Sequence, residues 1–229
     1  MSHFTVAVFH REDQNIDDLL APYDENLAVE PYIQFTKQEA IDYARKNLKS
    51  AEGMSDLECW QMMAEDHKTD WEGNIYSTYN PRSKWDWYAV GGRWGCMLNA
   101  GGSCSDSARV GDIDFSPDED EYEEALHFWD TVVDHKTAED GEHPISFFNE
   151  QYYRDYYGDR ETYARYTAQF STFAVVTPDG EWHEKGKMGW FACSSETPEE
   201  ARDWEEHYRE RFIDTADPDL ILTIVDCHI

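Results

Sequence analysis

The sequence predicts an α+β fold, a mainly antiparallel sheet with the first and last strands at its centre and several amphipathic helices around it. Three observations carry this. The two most apolar, β-rich runs lie at opposite ends of the chain, His3 to His10 (HFTVAVFH) and Leu220 to His228 (LILTIVDCH). Runs without polar alternation suit strands buried on both faces. A Ser/Thr-x-x-Glu pattern recurs before apolar residues at helical spacing, which marks helix starts. The order of elements, strand, helices, hairpin, helices, three strands, helix, strand, groups like elements rather than alternating them.

The elements follow in order. After the first strand, Leu19 to Glu30 reads as loop with a short helical piece before it, since Pro22 interrupts it. Thr36-Lys37-Gln38-Glu39 forms a capping box, with Ala40, Ile41, Ala44 and Leu48 behind it, predicting a helix from Lys37 to about Lys49. Ser55-Asp56-Leu57-Glu58 opens a second helix with Leu57, Trp60, Met63 and Ala64 on one face. Ser116-Pro117-Asp118-Glu119 opens a third, with Pro at the first helical position and a stripe of Tyr122, Ala125, Leu126, Trp129, Val132 and Val133. Between these two, Ser83 to Gly95 (SKWDWYAVGGRWG) reads as strand, Gly91-Gly92 tight turn, strand. Asn99 to Ser107 is a small-residue loop, and Asp134 to Pro144 a polar linker. Ile145 to Phe170 breaks at Gly158-Asp159 into two helices. Ser171 to Thr177 and Glu181 to Lys185 make a hairpin about Pro178-Asp179-Gly180. Lys187 to Cys193 reads as a strand, and Thr197-Pro198-Glu199-Glu200 caps a last helix with Ala201, Trp204, Tyr208 and Phe212 inward. With 229 residues and no low-complexity segment or repeat, one domain over 1–229 is the expectation.

Composition limits function. Acidic residues number 49 against 19 basic, a formal charge of −30. Direct nucleic-acid binding is not expected, because phosphate recognition needs a basic footprint. The acidity reads as a solvated surface, as salt adaptation, or as a surface that imitates nucleic-acid charge and occupies a host protein's binding groove. No apolar run approaches the ~20 residues of a membrane helix, and the N-terminus lacks signal-peptide character, so a cytoplasmic, non-membrane protein is expected. Five Cys without close pairing suggest reduced thiols.

Familiar phosphate-loop, dinucleotide, hydrolase and zinc motifs do not occur. Two constellations remain. If the end strands pair antiparallel, His3 meets Asp226 and His228, which share a face. That trio would hold a divalent metal or orient a general base, or simply tie the two strands together. The second is an aromatic and basic pocket built from Trp85, Trp87, Arg93, Trp94, His183, Lys185 and Trp190. It suits a phosphate or carboxylate on a planar ring; otherwise Arg93 and Lys185 pair with carboxylates and the Trp residues are core. Neither constellation decides whether the protein is an enzyme, and neither identifies a cofactor.

Several strings resemble a family of phage and prophage proteins. They are Met1–Val6 (MSHFTV), Leu20–Asn26, Tyr79–Tyr88 through Gly91-Gly92-Arg93-Trp94, Ala108–Asp114, Trp182–Gly186 with Met188-Gly189-Trp190, and the terminal Val225–Ile229 (VDCHI). The resemblance spans most of the chain. It implies a phage or mobile-element origin and carries no mechanism. Cys96 departs from the small or polar residue of the family, which argues against it as a nucleophile. The resulting expectation is an acidic accessory protein in the host cytoplasm that binds and blocks a host factor, such as a nucleic-acid-binding or defence protein. The alternative is a nucleotide- or small-anion-binding protein or enzyme.

Overall fold

The computed structural model describes residues 2–137, 144–146, 148–189 and 193–229. In chain order the elements are β1 (His3–His10), α1 (Ile16–Leu20), β2 (Tyr32–Phe35), α2 (Lys37–Asn47), α3 (Asp56–Ala64), β3 (Lys68–Thr69) and β4 (Ile75–Ser77). They continue as β5 (Trp87–Val90), β6 (Leu98–Ala100), β7 (Ser103–Ser105), β8 (Ser107–Arg109), α4 (Glu119–Phe128), α5 (Glu150–Tyr157) and α6 (Arg160–Ala168). The last four are β9 (Ala174–Val176), β10 (Trp182–Glu184), α7 (Pro198–Tyr208) and β11 (Ile221–His228). The fold is α+β.

The chain divides into two compact units. Met1–Ala21 and Lys84–Ile229 form the first, Pro22–Ser83 the second. The second closes through pairings between β2, β4 and β3 that no local pattern in the sequence announces.

In the first unit the sheet runs β10-β9-β1-β11-β5, with β8 also on β11. β1 and β11 pair antiparallel over their whole length, from His3 opposite His228 to His10 opposite Ile221. β9 joins β1 in parallel, the one parallel pairing among the named strands. Side chains alternate between faces, so His3, Thr5, Ala7 and Phe9 share a face with His228, Asp226, Ile224 and Leu222. Ala7, Phe9, Val175, Leu222 and Ile224 pack there on Trp204 and Tyr208 of α7 and on Ile213. On the other face Phe4 meets Phe173 and Trp182 edge-on, and the buried Trp85 donates its indole N–H to the Leu20 carbonyl.

Helix starts follow the capping chemistry with one correction. Thr36, Ser55 and Thr197 each cap as expected, with Glu39, Glu58 and Glu200 closing the box. At α4 the cap is Asp118 rather than Ser116, because its carboxylate accepts from both Asp120 and Glu121 N–H groups. Ala125, Leu126, Trp129 and Val133 of the expected stripe are buried. The break at Gly158-Asp159 separates α5 from α6, with Asp159 capping the latter.

The second unit packs α2 on α3 through Ile41, Ala44, Ala51 and Cys59. Leu57, expected on the inner face, is 55% exposed, and Cys59 takes the buried position. Asn80 ties the ends of this unit by donating to the Pro22 and Asp24 carbonyls.

The Trp-rich stretch is not a hairpin. β5 pairs with β11 instead, and Gly92–Trp94 is a turn of 3₁₀ helix. β5 covers Val225 to His228 and β8 covers Ile221 to Thr223 along one edge of β11. At Ile224 the ladder passes between them: the Gly91 N–H donates to its carbonyl, and its N–H donates to the Asp106 carbonyl, each at 2.8 Å. The excursion between is the β6–β7 hairpin, so the expected small-residue loop is itself stranded. Cys96 and Cys104 are joined there as a disulfide, contrary to the expectation of reduced thiols, while Cys59, Cys193 and Cys227 are free. The strand expected over Lys187 to Cys193 is represented by a bridge between Met188 and Ser194; residues 190–192 lie outside the described residues, as do 138–143 of the expected linker.

Candidate carboxylate–imidazole site

The end of the sheet where β1, β11 and β5 meet brings together five side chains, four on these strands and one just before β5. Register places His3 opposite His228, and His228 opposite Trp87. Asp226 lies two residues before His228 on the same face and reaches His3, whose Nδ1 stands 2.8 Å from Asp226 Oδ1. Asp86, just before β5, takes Nδ1 of His228 at 2.5 Å, while its backbone N–H donates to the His228 carbonyl. The two imidazoles stand 5.0 Å apart, edge to face. Trp87 stacks on His228 at 5.3 Å and meets His3 edge-on at 5.4 Å.

The other oxygen of Asp226 accepts the Arg93 N–H at 3.1 Å. This contact explains the Gly-Gly pair. Gly91 and Gly92 both have positive φ, 68° and 56°, and a Cβ on Gly92 would lie 2.6 Å from Asp226 Oδ2. A Cβ on Gly91 would lie as close to the Asp106 carboxylate, which also accepts the Cys96 N–H. The turn is thus laid directly over two carboxylates, which requires both the positive φ and the missing side chain.

Burial is deep. The side chains of His3, Asp226 and His228 are 10%, 4% and 7% exposed. His228 Nε2 is buried without a hydrogen-bond partner. Because each Nδ1 faces a carboxylate, the Nδ1–H tautomer is favoured and Nε2 is left as the acceptor. Chemically, such a pair is built to take a proton or to donate a lone pair. Beside it, Cys227 points to the opposite face, and burial pushes its thiol well above the ordinary range, so it is no nucleophile.

The trio His3, Asp226, His228 is therefore assembled as the antiparallel reading requires, but the role of Asp226 changes. Both its oxygens are engaged, by His3 and by the Arg93 N–H. Among the described residues no group of three or more His, Cys, Asp or Glu is placed to hold a metal ion.

The aromatic and basic pocket does not assemble. β5 and β10 lie at opposite ends of the strand order, four strand spacings or roughly 19 Å apart, so Arg93 and His183 belong to different edges. Trp85 is core, and Trp94 packs against the α7 core. The Arg93 side chain is exposed, and its backbone rather than its guanidinium enters the cluster. Trp190 lies outside the described residues. His183 and Lys185 do share a cleft of about 460 Å³ with Trp204, Arg211 and Phe212. Its cations are already matched: Lys185 contacts Glu205 at 2.6 Å and Arg211 contacts Asp203 at 2.8 Å.

Sequence reading missed Asp86, Asp106 and Glu205, the carboxylates that complete these arrangements. Asp86 had a signal, since it sits between Trp85 and Trp87 in an aromatic run. Glu205 had none, because its partner Lys185 lies beyond the end of β10, 20 residues away in the chain. No helix among the described residues is long and apolar enough to cross a membrane. No protein-family model, curated protein or solved structure matches the chain.

Proposed function

We propose that this chain is a phage-type acidic accessory protein that binds and blocks a basic host factor, with a nucleic-acid-binding or defence protein as the target and the host cytoplasm as its place of action. The observation that carries this reading is how its few cations are used. Arg160 grips Asp130 through two hydrogen bonds of 2.8 Å, Arg154 takes Asp134, Lys84 takes Glu184, and Lys185 takes Glu205. With these cations paired internally, the carboxylate excess stands uncompensated at the surface, including the exposed Asp118 to Glu121 at the head of α4. A field of that sign steers basic partners and repels nucleic acids. Immobilised protein should retain basic nucleic-acid-binding proteins of a bacterial lysate, release them with rising salt, and lose them to competing duplex DNA. Retention that neither salt nor DNA disturbs would overturn the reading.

A second reading, a small-ligand-binding protein or enzyme, is favoured by the two carboxylate-anchored imidazoles beside Trp87. It moves the site away from Arg93, His183 and Lys185 to His3 and His228. A thermal-shift screen against nucleotides tests it: a stabilisation lost in Trp87→Ala supports it, and no shift with any nucleotide sinks it.

A further inference from the structure

We propose that His3 and His228 together ligate one divalent transition-metal ion through their Nε2 atoms, with Asp226 and Asp86 as outer-sphere partners. This inference depends on neither reading above. Four observations converge on it.

Each imidazole uses Nδ1 on a carboxylate, Asp226 for His3 and Asp86 for His228. Metal-bound histidines almost always carry such a partner, which fixes the tautomer, orients the ring and raises the basicity of the other nitrogen. The spacing also fits. Two imidazoles bound to one ion through Nε2 at about 2.0–2.1 Å, under a near-tetrahedral angle, hold their ring centres about 5 Å apart. His3 and His228 stand 5.0 Å apart with their planes at 74°.

His228 Nε2 is buried and has no hydrogen-bond partner, in a residue only 5% exposed. A buried acceptor without a partner is a rare and costly state, and a cation would relieve it. Finally, Trp87 lies flat on His228 and edge-on to His3. That contact holds both rings in place and supplies an apolar wall.

Imidazole nitrogen selects borderline ions such as zinc, cobalt or nickel over magnesium or calcium. The described residues supply two ligands and no third from His, Cys, Asp or Glu. The ion would therefore keep positions open for water or for an oxygen of a bound ligand, the condition for Lewis-acid chemistry. Asp226 serves as an orienting group rather than a ligand, which departs from the three-ligand set the sequence suggests.

The test is a titration of the full chain, stripped with chelator, against Zn²⁺ and Co²⁺ alone, by calorimetry and by the visible absorption of bound Co²⁺. One saturable ion per chain is expected, accompanied by a rise in melting temperature. His3→Gln should abolish the Co²⁺ spectrum, and Asp86→Asn should weaken binding by about 10- to 100-fold. His228→Gln should behave as His3→Gln; if it fails to fold, the other two variants decide. Mg²⁺ should produce no shift. Absence of saturable binding, or binding that His3→Gln and Asp86→Asn leave unchanged, overturns the proposal.

Discussion

Gly92 sits directly on Asp226: a methyl group there would fall 2.6 Å from Oδ2 of the carboxylate that orients His3. One glycine therefore holds the turn and the imidazole in a common geometry.

Gly92→Ala should be strongly destabilising. It places a side chain at φ 56° and drives it into Asp226, two effects that together cost about 2–4 kcal/mol. Urea unfolding measures it. A loss below about 0.5 kcal/mol would show that the turn relaxes away from Asp226 without consequence.

Lys185 and Glu205 form a largely buried pair, with side chains 17% and 10% exposed. Lys185→Met leaves Glu205 charged and short of one partner, although Ser171 and Gln169 still donate to it. The expected loss is about 2–4 kcal/mol. Replacing both residues with apolar ones should recover most of it, as double-mutant denaturation curves can show. Recovery is not expected if the lysine serves a ligand rather than the fold.

Acid should act through the turn that follows α4, which holds Asp130 and Asp134, and through α5 and α6. The Arg160 guanidinium beside Asp130 holds that carboxyl below its usual range, and Arg154 does the same for Asp134. A depressed folded-state value stabilises above the unfolded value of about 3.9, and that contribution is lost as pH falls through it towards the folded value. Arg160→Ala should thus cost about 1 kcal/mol at neutral pH and distinctly less near pH 2. Equal losses at both pH values would refute this account.

Salt should stabilise the protein. At a formal charge of −30, self-repulsion opposes compaction, and raising ionic strength from about 0.01 M to about 1 M shortens the screening length from about 30 Å to about 3 Å. The melting temperature should climb over that range; a flat or falling curve would mean that the surface carboxylates are too dispersed to repel one another.

The end strands were legible because both are mostly apolar, and an antiparallel pairing of two equal runs leaves little freedom of register. His3, Asp226 and His228 came together for that reason. Helix starts at Thr36, Ser55 and Thr197 were legible because capping is a local exchange of hydrogen bonds. Ser116 and Asp118 are both competent caps two positions apart, and the carboxylate that accepts from two N–H groups prevailed. What failed was the place of β5 in the strand order. Trp87 reads as half a hairpin until β11 is known to be its neighbour, and Arg93 reads as a partner of His183 until four strand spacings are known to separate them. Strand order is a property of long-range packing, and neither residue carries a local trace of it.

The central pairing of β1 with β11 has a kinetic price. His3 and His228 are joined across nearly the whole chain, so the contact order of the core is high and its closure slow. At about 5–20 residues per second, β1 would be made roughly 10–45 s before β11. During that interval β1, an apolar strand, has no partner on its β11 edge, which makes the nascent chain a substrate for chaperones and for mispairing.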